Sequence, residues 1–141
     1  MKKSWIMVLL LSLPLLVAMG PLKGDAPPDR IPVPAKQFTA VFIDQTDFST
    51  ECRDVSIEGG TYLEGRRGEG LYTVSFEQIE SILFRFSSGK LYAAAKLRDG
   101  GSVELVVNKE HRAYGATKYG TFQIKLADLK KMTLGKGPSK P

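Results

Sequence analysis

Among the 141 residues there is one histidine, His111, and one cysteine, Cys52. A nucleophile–base pair would have to use His111, with Cys52, a serine or a threonine as the attacking group. His111 sits in the polar stretch NKEHRA, Asn108 to Ala113, with no nucleophile motif beside it, and reads as a surface histidine. Cys52 has no partner for an intramolecular disulfide, so the fold must rest on its core. In a regular strand Cys52 would point away from the face carrying Val55 and Ile57, and it reads as a structural thiol. The acidic stretch Asp44 to Asp47, with Glu51, offers the oxygen ligands that calcium takes. It lacks the alternating acidic spacing and the turn glycine of an EF-hand loop, and reads as a solvated loop. A carboxylate pair for glycoside hydrolysis would need a cleft, for which so short a β domain has little room. Trp5, the one tryptophan, lies in the N-terminal segment and supplies no sugar-stacking platform. No catalytic set, metal site or cofactor site is expected.

Charge is more informative. From Gln37 to Phe84 three basic residues face nine acidic ones, a net of −6; from Arg85 to Pro141 twelve basic face four acidic, a net of +8. Such a split suggests attraction between the halves, within one molecule or head-to-tail between molecules, or an anionic partner for the basic half. Basic residues near exposed aromatics are the candidate contacts: Arg112, Tyr114, Lys118 and Tyr119, with Lys130 and Lys131. The partner classes that fit are an anionic envelope polymer, a membrane surface or an acidic protein. Nucleic acid is not expected for an exported chain.

These residues lie in a pattern that occurs twice. GRRGEGLYTVSFEQIESILF, Gly65 to Phe84, and GATKYGTFQIKLADLKKMTL, Gly115 to Leu134, align at an offset of fifty residues. Gly65 matches Gly115 and Gly70 matches Gly120; Tyr72, Val74, Phe76, Ile79, Ile82 and Phe84 match Phe122, Ile124, Leu126, Leu129, Met132 and Leu134. Two tandem repeats, 37–86 and 87–134, are expected.

Within each repeat the periodicity is that of strands. Tyr72, Val74 and Phe76 alternate with Leu71, Thr73 and Ser75, as a half-buried strand does. Further strands are expected at Gln37 to Asp44, Glu51 to Ile57, Thr61 to Glu64, Lys90 to Arg98 and Ser102 to Val107. The alanine run in KLYAAAKLR would suit a helix, but Gly89 before it and Asp99-Gly100-Gly101 after it favour a hairpin strand. After each alternating strand a single helical turn is expected, at Glu77 to Glu80 and at Ala127 to Lys130, followed by a short strand. That strand–turn–strand ending resembles the closing part of small SH3-like barrels. About ten short strands imply an all-β fold, a small sandwich or two fused SH3-like half-barrels. Neither repeat alone would bury enough apolar surface, so the two should share one core.

Lys2 and Lys3 followed by the apolar run Ile6 to Met19 form an export signal over residues 1–20, short for a bilayer span. Pro21 after Gly20 disfavours cleavage there, which leaves an uncleaved anchor open. Residues 21–36 hold five prolines and read as an extended spacer; 135–141 (GKGPSKP) read as a disordered basic tail. The expected protein is an exported, periplasmic or extracellular, non-enzymatic binding or assembly module. The alternatives are a small secreted hydrolase using His111 or paired carboxylates, and a self-assembling structural subunit.

Overall fold

The structure is a computed structural model that describes residues 31–135. The expected export signal, residues 21–30 of the spacer and the tail beyond Gly135 lie outside the described residues. Within 31–135 the chain forms β1 (Ala40–Asp44), β2 (Ser49–Ile57), β3 (Tyr62–Arg67), β4 (Gly70–Ser75), a 3₁₀ turn (Phe76–Gln78) and β5 (Ile79–Ser87). It continues through β6 (Lys90–Leu97), β7 (Ser102–Val107), β8 (Arg112–Thr117), β9 (Gly120–Lys125), a second 3₁₀ turn (Leu126–Asp128) and β10 (Leu129–Leu134).

All ten strands belong to one antiparallel sheet in the order β4-β3-β7-β6-β5-β10-β1-β2-β8-β9. The sheet is curled into a half-barrel, so the expected alternative of two facing sheets gives way to a single layer rolled around its own core. One face of every strand contributes to that core. Phe38, Phe42, Leu63, Phe76, Ile79, Ile82, Leu91, Leu105, Leu126, Leu129 and Met132 are fully buried in a single cluster. Of the nine neighbouring strand pairs, five join a strand of β1–β5 to one of β6–β10: β3 with β7, β6 with β5, β5 with β10, β10 with β1, and β2 with β8. The two halves of the sequence are interleaved, and neither owns a side of the sheet.

The alanine run explains itself in this setting. Ala93 sits opposite Phe84 on one side and Leu105 on the other, and Ala95 sits between Ile82 and Val103. Small residues between large ones let the central strands pack without voids or clash. The helical turns begin one residue earlier and end two residues earlier than expected, with Phe76 and Leu126 entering the core at their first positions. Ser75 Oγ accepts the Glu77 N–H at 3.1 Å, whereas Lys125 gives the second turn no side-chain cap.

Strand β2 departs from regularity. Asp54 has φ +52°, and the register with β8 slips between Arg53 and Ser56. A bulge of this kind bends a strand and resets its parity. Residues Ser49 to Cys52 pair with β1, and β8 pairs with β2 on both sides of the bulge, at Arg53 before it and at Ser56 and Ile57 after it. The reset also corrects the expectation for Cys52: it lies on the same inner face as Val55 and Ile57, all three buried.

Candidate functional site

The six basic and aromatic residues chosen from the sequence fall into two groups. Arg112 and Tyr114 alternate on β8 with buried Ala113 and Gly115, so they share its outer face. The Arg112 N–H donates to the Glu58 carboxylate at 2.8 Å, and its guanidinium reaches Gln123 Oε1 at 3.3 Å. Lys118 and Tyr119 form the two-residue tip between β8 and β9, the ammonium 5.3 Å from the ring centre. Lys130 and Lys131 lie on β10, which β1 and β2 separate from β8. Lys130 is paired with Asp47, while Lys131 stands between Ile43 and the exposed Leu83. The sheet does not bring the six into one patch.

It builds a different cationic surface. Strand β3 meets β7 at a single register pair, Arg66 with Val106, and its tip then departs from the sheet. The gap is a groove of about 750 Å³ lined by Arg66, Arg67 and Lys90 with Tyr92, Glu104 and Val106. Across the outer face Val106 also pairs with Tyr92, and Tyr92 with Arg85, so that Arg66, Val106, Tyr92 and Arg85 form one row. The Arg85 guanidinium lies 4.6 Å from the Tyr92 ring centre and 3.1 Å from Glu104 Oε2. Arg85 thus neutralises the one acid of the groove and is itself held by the ring. Among the described residues Arg66, Arg67 and Lys90 have no ion-pair partner. Three uncompensated cations around a concave surface with an aromatic floor suit an anion with several charges.

The tip of β8 and β9 leaves β2 in the same manner and opens a groove of about 440 Å³ beside Glu51, Arg53 and Lys118. There one acid stands beside two bases, so this groove is smaller and carries less net positive charge than the first. The basic one was not legible from the sequence halves, because Arg66 and Arg67 come from the acidic half and Lys90 from the basic half. The signal available was the Arg66-Arg67 pair before the turn glycine Gly68 (φ +64°).

The remaining candidates are engaged in the fold. The His111 carbonyl accepts the Leu126 N–H at 2.8 Å. Its side chain borders a hollow of about 30 Å³ with Glu58 and Glu64 and a wider one of about 400 Å³ with Glu64, Arg66 and Leu71. Burial pushes the Cys52 thiol up to about 11, so it is protonated and a poor nucleophile near neutrality. Asp44 accepts from the Thr46 hydroxyl at 2.6 Å, the Phe48 N–H at 3.1 Å and the Thr46 N–H at 2.8 Å, which closes the β1–β2 turn. Those bonds, the Thr46 hydroxyl first, hold its carboxyl below the usual value of 3.8. Asp47 is taken by Lys130. Among the described residues no cluster of three His, Cys, Asp or Glu is placed to hold a metal ion, and no helix is long and apolar enough to cross a membrane.

A family model described as "Uncharacterised protein" matches residues 34–137. The chain belongs to that family. The matched span includes all ten strands and both grooves, so the family's domain is the half-barrel itself. No curated protein and no solved structure matches the chain.

Proposed function

We propose that the chain is an exported, non-enzymatic β module of the cell envelope whose basic groove, between the tip of β3 and strands β6 and β7, binds an anionic partner. The observation that carries it is the set Arg66, Arg67 and Lys90, uncompensated, around a groove whose single acid is tied to Arg85. Export is inferred from Lys2, Lys3 and the apolar run Ile6 to Met19. An acidic polymer meets the requirement best, since several cations in a row favour several linked anions.

The same proposal takes residues 37–86 and 87–134 as tandem copies of one SH3-like unit that have exchanged their hairpins. Exchanging each of β1–β5 with its counterpart in β6–β10 reverses the strand order and leaves it unchanged, which supports this. Gly65 and Gly115 support it too: each lies against the adjacent strand of the other copy, at Leu105 and at Cys52. In each set of five adjacent strands a 3₁₀ turn precedes the closing strand, the feature on which the likeness to SH3-like barrels rests.

The test is fluorescence anisotropy of the full chain titrated into labelled polyglutamate, with neutral dextran as control. Binding in low salt and release near about 0.5 M salt, where the screening length is about 4 Å, is expected. Arg66→Ser with Lys90→Ser should weaken binding, and Lys130→Ser, whose cation is already paired, should not. Binding that ignores salt, or that the double variant leaves intact, would refute the groove.

A further inference from the structure

Among the described residues the sheet does not close, and its two free edges, β4 and β9, are unlike in charge. Strand β4 pairs with β3 through all six of its residues without a bulge, and β9 pairs with β8 likewise. Neither edge is therefore interrupted by a bulge. Strand β4, Gly70-Leu-Tyr-Thr-Val-Ser75, has no charged residue, and its first four positions are exposed, with Leu71 60% accessible. Natural edge strands are usually guarded by lysine, proline or a bulge, because unpaired backbone groups recruit another strand. Strand β4 has none of these guards. What brackets it is acidic, Glu69 before and Glu77 after, while β9 is preceded by Lys118 and ends on Lys125.

We infer that β4 of one copy pairs with β9 of a second copy, antiparallel and head-to-tail. Two β4 edges pairing with each other would bring Glu69 near Glu77, which Lys36 already holds, and two β9 edges would bring Lys118 and Lys125 together at each end; like charges disfavour both. The unlike pairing sets acid against base at one end, Glu69 against Lys125. The register that keeps the core-side residues on one face places Tyr72 opposite Phe122, Thr73 opposite Thr121 and Glu69 opposite Lys125. The exposed Lys125–Glu110 pair at 3.3 Å is weak enough to exchange. The charges select which edges meet, and the backbone ladder supplies the adhesion. Because the two surfaces are different, each added copy leaves one free β4 and one free β9, so growth does not stop at a dimer. The partner here is a second copy of the chain, through the sheet edges rather than through the basic groove, which β4 adjoins by its pairing with Arg66 and Arg67.

The experiment is sedimentation velocity of the full chain over a concentration series in low salt. The expected average mass rises past that of a dimer. Glu69→Lys alone and Lys125→Glu alone should each weaken association by at least about tenfold. The double variant Glu69→Lys with Lys125→Glu should restore it, which non-specific association would not do. Thr73→Pro should abolish growth. Retention of the wild-type urea midpoint by the two charge variants, both at exposed positions, keeps the result independent of folding. A species that stops at dimer, a monomer at every concentration, or growth that ignores the charge exchange would overturn the inference.

Discussion

Gly115 and Cys52 approach so closely across β8 and β2 that a Cβ at position 115 would lie 2.7 Å from the Cys52 Cβ and 3.0 Å from its Sγ. On the other side of the sheet a Cβ at Gly65 would meet the Leu105 Cβ and the Val106 carbonyl, both at 2.8 Å. Both contacts are with atoms that the core holds in place. Gly65→Ala and Gly115→Ala should therefore each destabilise the fold by about 1–3 kcal/mol. Gly70→Ala, whose nearest neighbour would be Tyr72 at 3.5 Å, should cost far less. Urea midpoints of the three variants test the ranking; equal costs would deny the close approach.

Cys52 gives the fold a pH dependence. Burial raises its thiol from 9.0 to about 11. Between those values the folded chain keeps a proton that the unfolded chain loses, so stability falls as pH rises through the window and is unaffected by this group below pH 9. The full loss is about 3 kcal/mol. Cys52→Ala should lack that part of the slope. The stability difference between the two proteins should stay constant up to pH 9 and narrow above it, measured as urea midpoints at a series of pH values.

The β1–β2 turn should open on acidification. Asp44 is held below 3.8 by the bonds it accepts, so their stabilising effect is complete above that value and is lost as pH falls through the depressed one. Amide exchange at Thr46 and Phe48, the two N–H groups bonded to the Asp44 carboxylate, should accelerate there. Asp44→Ala, which removes the acceptor, should show fast exchange at every pH.

Local features were legible because neighbouring residues decide them. Period-two alternation located the strands, and β7 spans the expected residues, Ser102–Val107. The hairpin signals around KLYAAAKL outweighed the helical leaning of alanine, and the packed sheet supplies the reason in the large residues flanking Ala93 and Ala95. Three things were not legible. One residue in the left-handed region at Asp54 turned Cys52 to the inner face, and nothing in STECRDVSI announces a bulge. The pairing of β3 with β7 placed Arg66 beside Lys90, although a count of charges by sequence halves set them apart. Of the four matched glycines, Gly65 and Gly115 serve close packing, while Gly120, at φ +137°, serves the entry to β9. Spacing alone could not separate those roles.

The sheet order also decides which piece of the chain is nearest to folding alone. Residues 37–86, the span expected from the sequence to be the first repeat, contain β1–β5, yet only β1–β2 and β3–β4 are neighbours among them. The segment 61–108 contains β3–β7, and these five strands are consecutive in the sheet: β4-β3-β7-β6-β5. The second fragment retains four strand ladders where the first retains two, and an isolated hairpin is at best marginally stable in water. Fragment 61–108 should accordingly show a strand signal in circular dichroism and dispersed amide resonances, while fragment 37–86 should resemble an unfolded chain. Cutting the chain in the Ser88–Gly89 turn should leave two pieces that are unfolded apart and recover the sheet on mixing, since five of its nine junctions lie between them. A folded 37–86 fragment would mean that the repeat closes on itself, and the interleaved order would then be wrong.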